Sequence, residues 1–68
     1  MIFEQVLAYL REKRTNRARL PSWKGLYHLR VVHEDGRPYL VIYSDENDGW
    51  NYAELSEEEI MSDDWEAA

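Results

Sequence analysis

Three cationic side chains surround a tryptophan in the first half of the sequence. Arg17 and Arg19 precede Trp23, and Lys24 follows it. A guanidinium group donates paired hydrogen bonds to phosphate oxygens, and an indole ring stacks on a flat base. The segment therefore indicates a site for something anionic and planar, such as a nucleotide. The alternative, in which Trp23 belongs to the core and the cations form a solvated strand face, is equally open.

The charge of the chain divides near its middle. Residues 1–33 carry seven Lys and Arg against two acidic residues, a net charge of +5. Residues 34–68 carry one Arg against twelve acidic residues, a net charge of −11. The acidic half would repel a nucleic-acid duplex, so we expect no direct nucleic-acid binding. A small phosphorylated ligand or a second protein chain is the expected partner.

Two further segments contain candidate ligand contacts. Trp50 and Tyr52 follow a loop and could cover a ligand or seal a contact between subunits. Asp63 and Asp64 could accept hydrogen bonds from ribose hydroxyls or a base amine, although helix termination and pairing with Arg would also explain them. Trp65, which follows them, is expected in the core.

The residues needed for catalysis or metal binding are missing or badly spaced. The chain has no Cys, and none of its Ser residues lies in a nucleophile elbow. His28 and His33 are five residues apart, so in a strand they point to opposite faces and cannot share a metal ion. The acidic run 45–49 has its glycine one place too early for a calcium loop and is interpreted as a turn. We therefore expect no enzyme, no cofactor and no metal site.

The size of the chain favours self-association. Its 68 residues make one domain, and a domain of this size buries only about 60% of its unfolded surface. Three Trp and five Tyr belong to the residue types that anchor interfaces, so we expect a dimer or tetramer. The longest apolar run, residues 6–10, is too short to cross a membrane, and Glu4 stands where a signal peptide would be basic. We expect a cytoplasmic protein that does not contact a membrane.

The N-terminal segment has the hydrophobic spacing of a helix. Phe3, Val6, Leu7 and Leu10 fall on one helical face, which predicts a helix from about residue 2 to about residue 13. Residues 17–20 are predicted to form a short strand that Pro21 ends.

The middle of the chain predicts a β-hairpin. Asp35-Gly36 separates two runs of β-branched and aromatic residues, and a type I′ turn needs positive φ at both central positions. The face toward the first helix would then contain Tyr27, Leu29, Val31, Leu40 and Ile42. The opposite face would pair His28 with Tyr43, Arg30 with Val41, and Val32 with Tyr39. That second face is too apolar for a free surface and too polar for a dry core, so it indicates an interface or a pocket wall.

The last third of the chain predicts a loop, a short helix and a strand. Residues 44–49 form the loop, and Ser56 with Glu59 makes a capping box for a helix over about residues 57–62. Asp63-Asp64 would end this helix, and residues 65–67 would form the last strand. The predicted fold class is α+β, with an N-terminal helix packed on a small antiparallel sheet, a short second helix and a C-terminal strand.

Three segments resemble a known family. Ser56–Glu66 resembles the closing signature of the Thoeris anti-defence two family, small phage proteins that end in a capped helix, two acids and a tryptophan strand. Phe3–Leu7 and Ser22–Tyr27 are similar to the opening helix and to the tryptophan, glycine and aromatic run of that family. The resemblance implies an α+β homo-oligomer, often a tetramer. It also implies binding of cyclic nucleotide-type immune signals without cleavage.

The leading hypothesis joins this resemblance to the basic aromatic segment. The chain would be a phage-type sponge in the bacterial host cytoplasm, which sequesters a cyclic nucleotide-derived signal in pockets between subunits. Trp23 and Tyr27 would stack on a base, and Asp64 would accept a ribose or base hydrogen bond. Arg17, Arg19 and Lys24 would neutralise the phosphates, and Trp50 would cover the ligand.

The runner-up hypothesis rests on the acidic half. The chain would be a protein-interaction inhibitor of the anti-CRISPR or anti-restriction type, whose carboxylates imitate DNA phosphates in a basic nuclease channel. The carboxylates on that side would be Glu57, Glu58, Glu59, Asp63 and Asp64. A solvated acidic helix explains the same residues.

Overall fold

Two helices and five strands make up the fold. The computed structural model describes residues 1–68. The elements in chain order are α1 (Phe3–Glu12), β1 (Ala18–Arg19), a 3-10 turn (Pro21–Trp23), β2 (Tyr27–Glu34), β3 (Arg37–Ser44), β4 (Gly49–Tyr52), α2 (Glu57–Met61) and β5 (Glu66–Ala67). The predicted α+β class is confirmed, and both predicted helices lie within two residues of their expected ends. Neither helix is long and apolar enough to span a membrane.

The five strands form one sheet in the order β4-β3-β2-β1-β5, and every neighbouring pair is antiparallel. The β2–β3 hairpin has the predicted register, with Leu29 opposite Ile42 and His28 opposite Tyr43. Asp35 and Gly36 have φ of 51° and 76°, which is the conformation that a type I′ turn requires. The local turn chemistry therefore sets the register of the two longest strands.

Strand β4 was not predicted. Residues 49–52 pair with the end of β3, with Trp50 opposite Tyr43 and Tyr52 opposite Val41. The turn that joins the two strands needs a left-handed residue, and Asp48 supplies it with φ of 52°. A four-residue strand has too little alternation to recognise in a sequence, because it is stabilised by its neighbour more than by its own residues.

The core lies between the sheet and the helices. Its buried members are Val6, Leu10, Ala18, Leu20, Leu29 and Trp65. Trp65 is 2% exposed, as predicted, and its ring centroid lies 5.7 Å from that of Phe3. The side of the sheet that contains Leu29 and Ala18 is called the helix face, because α1 packs there. The predicted helix-face residues Val31, Leu40 and Ile42 pack against this core.

Side-chain hydrogen bonds fix the ends of both helices. The Asn16 amide donates to the Tyr9 carbonyl at 2.8 Å, which satisfies a free carbonyl in the last turn of α1. The predicted capping box is present in α2, where Glu59 N–H donates to Ser56 Oγ at 3.1 Å and Ser56 N–H donates to Glu59 Oε1 at 2.9 Å. A five-residue helix depends on such a box, because it is too short to be stable alone.

Candidate functional site

The side of the sheet opposite the helix face carries no helix. Antiparallel pairing places on it the residues Arg17, Arg19, His28, Arg30, Val32, Glu34, Arg37, Tyr39, Val41, Tyr43, Trp50, Tyr52 and Glu66. We call this surface the open face. Most of its arginines lie along β1 and β2, and its aromatic rings lie along β3 and β4. This composition agrees with the prediction that the second face of the hairpin is too apolar for a free surface and too polar for a dry core.

A buried histidine organises the centre of the open face. His28 is 4% exposed, and its ring stacks parallel on Tyr43 with centroids 5.3 Å apart. Its Nδ1 lies 2.6 Å from Asp45 Oδ1, while its Nε2 accepts a hydrogen bond from Arg30 Nε at 3.0 Å. Burial lowers the pKa of His28, and the Asp45 carboxylate opposes this shift. Both nitrogens of the neutral ring are occupied, so His28 positions Arg30 and has no free nitrogen for a substrate or a metal.

Arg30 is held in place while part of its guanidinium group stays free. Its Cζ lies 4.6 Å from the centre of the Tyr43 ring, a cation–π distance. The two ion pairs of the molecule are Arg19–Glu66 and His28–Asp45. Arg14, Arg17 and Arg30 therefore have no carboxylate within 4.0 Å. Guanidinium groups without a carboxylate partner are suited to bind an anion from solution.

Two of these arginines, Arg14 and Arg30, meet at a depression that we call the basic notch. It has a volume of about 240 Å³ and is lined by Arg14, Arg30, Val31, Val32, His33 and Tyr43. A smaller depression of about 170 Å³ adjoins it and adds Arg11 and Leu10 to the lining. The notch exists because β1 has only two residues, so the end of β2 has a free edge that the segment after α1 crosses. No acidic residue lines either depression.

The aromatic half of the open face is exposed. Trp50 and Tyr52 are 38% and 55% exposed, and their ring centroids are 5.5 Å apart. Tyr39 joins them, 5.4 Å from Tyr52. The Tyr52 hydroxyl donates to Glu34 Oε1 at 2.8 Å, and this bond raises the pKa of Tyr52. Ring faces that remain in contact with water are available for stacking on a planar ligand.

The predicted site residues separate into three groups. Arg17, Arg19 and Trp50 share the open face, as their pairing requires. Arg19 is bonded to Glu66 at 3.3 Å, and it reaches toward Gly25, where an added Cβ would lie 3.8 Å from Arg19 Nη1. Arg19 is therefore less available to a ligand than Arg17.

Trp23 and Tyr27 lie on the other side of the sheet. The Trp23 indole N–H donates to Glu59 Oε2 at 2.9 Å, and its ring packs edge-on against Trp65 at 5.2 Å. Tyr27 contacts Trp23 edge-on at 6.5 Å and is 43% exposed. The predicted stacking pair is thus not brought together with the arginines, because the 3-10 turn at Pro21–Trp23 places Trp23 against the helix-face core.

The remaining two predicted residues lie in connecting segments. Lys24 has φ of 53° and Gly25 has φ of 74°, so they form the left-handed turn that leads into β2. Asp64 lies between α2 and β5, where its N–H is bonded to Ser62 Oγ at 3.1 Å. Neither residue belongs to the open face.

Sequence reasoning missed Arg14, and it named Arg30 and Tyr43 only as members of the second hairpin face, without a role in binding. The hairpin register already placed Tyr43 beside His28 and Arg30, and that alignment could have identified it. Arg14 could not be found in this way, because it follows α1 in sequence and reaches the notch only through the fold.

The largest depression is not suited to an anion. It has a volume of about 520 Å³ and lies where α1 does not cover β3 and β4. Its lining includes Tyr27, Ile42, Asn51 and the Glu54 carboxylate. A carboxylate in the wall would repel phosphate, so the basic notch is the better candidate.

No group of three or more His, Cys, Asp or Glu side chains is placed to hold a metal ion. Comparisons with known proteins found no family model, no curated protein and no solved structure that matches this chain.

Proposed function

We propose that this protein binds a phosphorylated planar ligand of the cyclic nucleotide type on its open face and holds it without cleaving it. The observation that carries the proposal is that Arg17 and Arg30 on the open face, and Arg14 at the basic notch beside it, have no ion-pair partner and lie on the same side of the sheet as exposed aromatic rings. Arg14, Arg17 and Arg30 would bind the phosphates, and Trp50 and Tyr52 would stack on a base. This assignment replaces Trp23 and Tyr27 as the stacking pair.

The spacing within the open face fits such a ligand. Arg30 and Tyr52 are separated by β3, so two strand spacings, about 10 Å, lie between them. A phosphorylated nucleoside can bridge that distance. Stacking contributes about 1–3 kcal/mol per base, and a charge-assisted hydrogen bond contributes about 1.5–3 kcal/mol. Micromolar binding requires about 8 kcal/mol in total, so the arginines and the aromatic rings would have to act together.

The open face is better suited to holding a ligand than to cleaving it. His28 has both ring nitrogens engaged, so the one buried histidine of the site is not placed to act as a general base. The role as a phage-type anti-defence sponge in a bacterial cytoplasm is carried by the resemblance of residues 56–66 to that family. Assembly into a homo-oligomer is part of the same proposal.

The proposal is tested by calorimetry with a panel of cyclic dinucleotides, cyclic oligonucleotides and cyclised ADP-ribose derivatives. Arg17→Ala and Arg14→Ala should each weaken binding about tenfold or more, because each removes a charge-assisted hydrogen bond. Arg37→Ala is the matched control, since Arg37 lies at the far hairpin end opposite Glu34. The absence of heat with every ligand, or an equal loss with Arg37→Ala, would contradict the proposal.

A second measurement separates a sponge from an enzyme. The protein is incubated with the ligand that binds, denatured, and the released molecule is identified by mass spectrometry. Recovery of the intact ligand is expected. A hydrolysed or rearranged product would show that the open face catalyses a reaction.

A second candidate function is favoured by the acidic end of the molecule. Glu57, Glu58, Asp63 and Asp64 are exposed and have no ion-pair partner. Such a surface could occupy a basic channel of a nuclease. Salt-sensitive inhibition of a nuclease that Glu57→Lys and Glu58→Lys abolish, together with no nucleotide binding, would favour this function over the first.

A further inference from the structure

We propose that two copies of this chain pair through the free edge of β4, antiparallel about a twofold axis at Asn51, so that their open faces form one continuous surface. Strand β4 is the last strand on its side of the sheet. The partner is a second copy of the same chain, because the outward-pointing backbone groups of Trp50 and Tyr52 are self-complementary about Asn51. Each copy contributes the same four residues, and the inference specifies the homo-oligomer of the proposed function.

The backbone of β4 has hydrogen-bonding groups that point away from the sheet. Ala53 N–H donates to the Leu40 carbonyl at 3.0 Å. In an antiparallel pair the bonded positions alternate, so Asn51 points its backbone groups toward β3. Trp50 and Tyr52 consequently direct their N–H and C=O groups outward, where β4 has no neighbour.

The edge lacks the features that normally prevent pairing. Strand β4 reads Gly-Trp-Asn-Tyr and contains no Lys, no Pro and no charged residue. Natural edge strands are usually protected by charge, proline or a bulge. Aromatic residues also favour strand pairing. The four exposed residues of β4 therefore form an edge that is open to another strand.

In one register, all the outward-pointing backbone groups of β4 form hydrogen bonds. When Trp50 of one copy faces Tyr52 of the other, both outward-pointing residues of both copies form hydrogen bonds, four in all. The two Asn51 residues then face each other as the central non-bonded pair. Registers centred on Trp50 or on Tyr52 would leave one of the two residues without a partner inside the strand.

The dimer joins the aromatic halves of two open faces. Trp50 and Tyr52 lie on the same side of both copies, because the twofold axis is perpendicular to the sheet. The four rings meet at the centre, and the two basic notches lie at opposite ends. Asp48 of one copy approaches Glu54 of the other just beyond the strands, and like charges at such positions oppose pairing. We therefore expect self-association that becomes stronger as salt increases.

A single introduced cysteine tests the register. The chain has no cysteine, so Asn51→Cys would place one thiol at the axis, where facing Cα atoms are about 4.5 Å apart and a disulfide can form. Glu57→Cys on α2 is the matched control. Under mild oxidation we expect a disulfide-linked dimer from Asn51→Cys, at least about tenfold faster than from Glu57→Cys. Equal rates would overturn the proposal.

A third cysteine variant excludes the other dimer that this molecule could form. Val32 lies on the open face, whereas Asn51 lies on the helix face opposite Ile42. Two copies packed face to face through their open faces would bring the Val32 residues near each other and hold the Asn51 residues apart. Rapid cross-linking of Val32→Cys with none of Asn51→Cys would therefore replace edge pairing with face-to-face packing.

Proline provides a test without cross-linking. Trp50→Pro removes one outward N–H from each copy and so two of the four hydrogen bonds, whereas Trp50→Ala keeps them. Sedimentation velocity over a concentration series should show dimers in the wild type, and Trp50→Pro should weaken them about tenfold more than Trp50→Ala does. Circular dichroism confirms that both variants fold. A wild type that is monomeric at every concentration would overturn the inference and the proposed homo-oligomer. Because no ligand is added, that result leaves the proposed nucleotide binding itself intact.

Discussion

The two faces of the sheet are built for different purposes. On the helix face, Leu29 and Ala18 are fully buried beneath α1 and Trp65. On the open face, the buried residues are His28 and Val41, and they are covered by neighbouring side chains and not by a second layer. Only 8 of the 68 residues are buried in total, and six of these eight belong to the helix-face core. The stability of the molecule therefore comes mainly from one face, which leaves the other available for binding.

The largest expected difference in the free energy of unfolding is between two Trp→Ala substitutions, one on each face. Trp65→Ala should cost about 3–5 kcal/mol in the free energy of unfolding, a large part of the roughly 3–10 kcal/mol that a chain of this length has. Trp50→Ala, on the open face, should cost about 1 kcal/mol or less. Urea unfolding at low protein concentration measures both. Equal losses would show that the open face is part of the core.

An intermediate effect is expected where α2 is fastened to the helix face. Glu59 uses both carboxylate oxygens, one for Ser56 N–H and one for the Trp23 indole. The Ser56 backbone bond, with help from Trp23, lowers the pKa of Glu59. Glu59→Ala should destabilise the protein by about 1–2 kcal/mol.

The neighbouring Glu58→Ala is the control for this prediction, because Glu58 is exposed on the same short helix and makes no side-chain hydrogen bond. It should change the free energy of unfolding by less than about 0.5 kcal/mol. A similar loss in both variants would mean that the charge near the helix N-terminus matters, and not the capping box with its bond to Trp23.

The smallest expected effect is a pH dependence that originates on the open face. The pKa of His28 is lowered below its usual 6.5 by burial, so the unfolded chain takes up a proton more readily than the folded one. The contribution of His28 to stability is therefore present above pH 6.5 and decreases as the pH falls below it. Thermal unfolding between pH 5 and pH 8 should show a lower midpoint on the acidic side, and His28→Gln should reduce that slope.

His33→Gln serves as the control for the pH dependence, since His33 is exposed and lies on the other side of β2. Its replacement should leave the slope unchanged. If His28→Gln keeps the full slope of the wild type, the network of Asp45, His28 and Arg30 does not depend on a neutral imidazole.

Most of the fold could be predicted because its elements depend on short-range sequence patterns. The spacing of Val6 and Leu10 gave α1, and Asp35-Gly36 gave the hairpin with its register. Ser56 and Glu59 gave the start of α2. The strand β4 could not be predicted, because the pairing of Trp50 with Tyr43 depends on β3 and on the turn at Asp48.

The site was predicted only in part, because contacts between residues distant in sequence bring its side chains together. The sequence alone determined that cations and aromatic rings are abundant and that the hairpin has one apolar and one mixed face. Only the tertiary structure decided which cations meet which rings. Trp23 and Arg17 are close in sequence, but the 3-10 turn at Pro21 changes the chain direction so that Trp23 lies on the helix face. There its indole N–H donates a hydrogen bond to Glu59. Arg14 and Arg30 are distant in sequence and share the basic notch, because a two-residue β1 leaves the edge of β2 free.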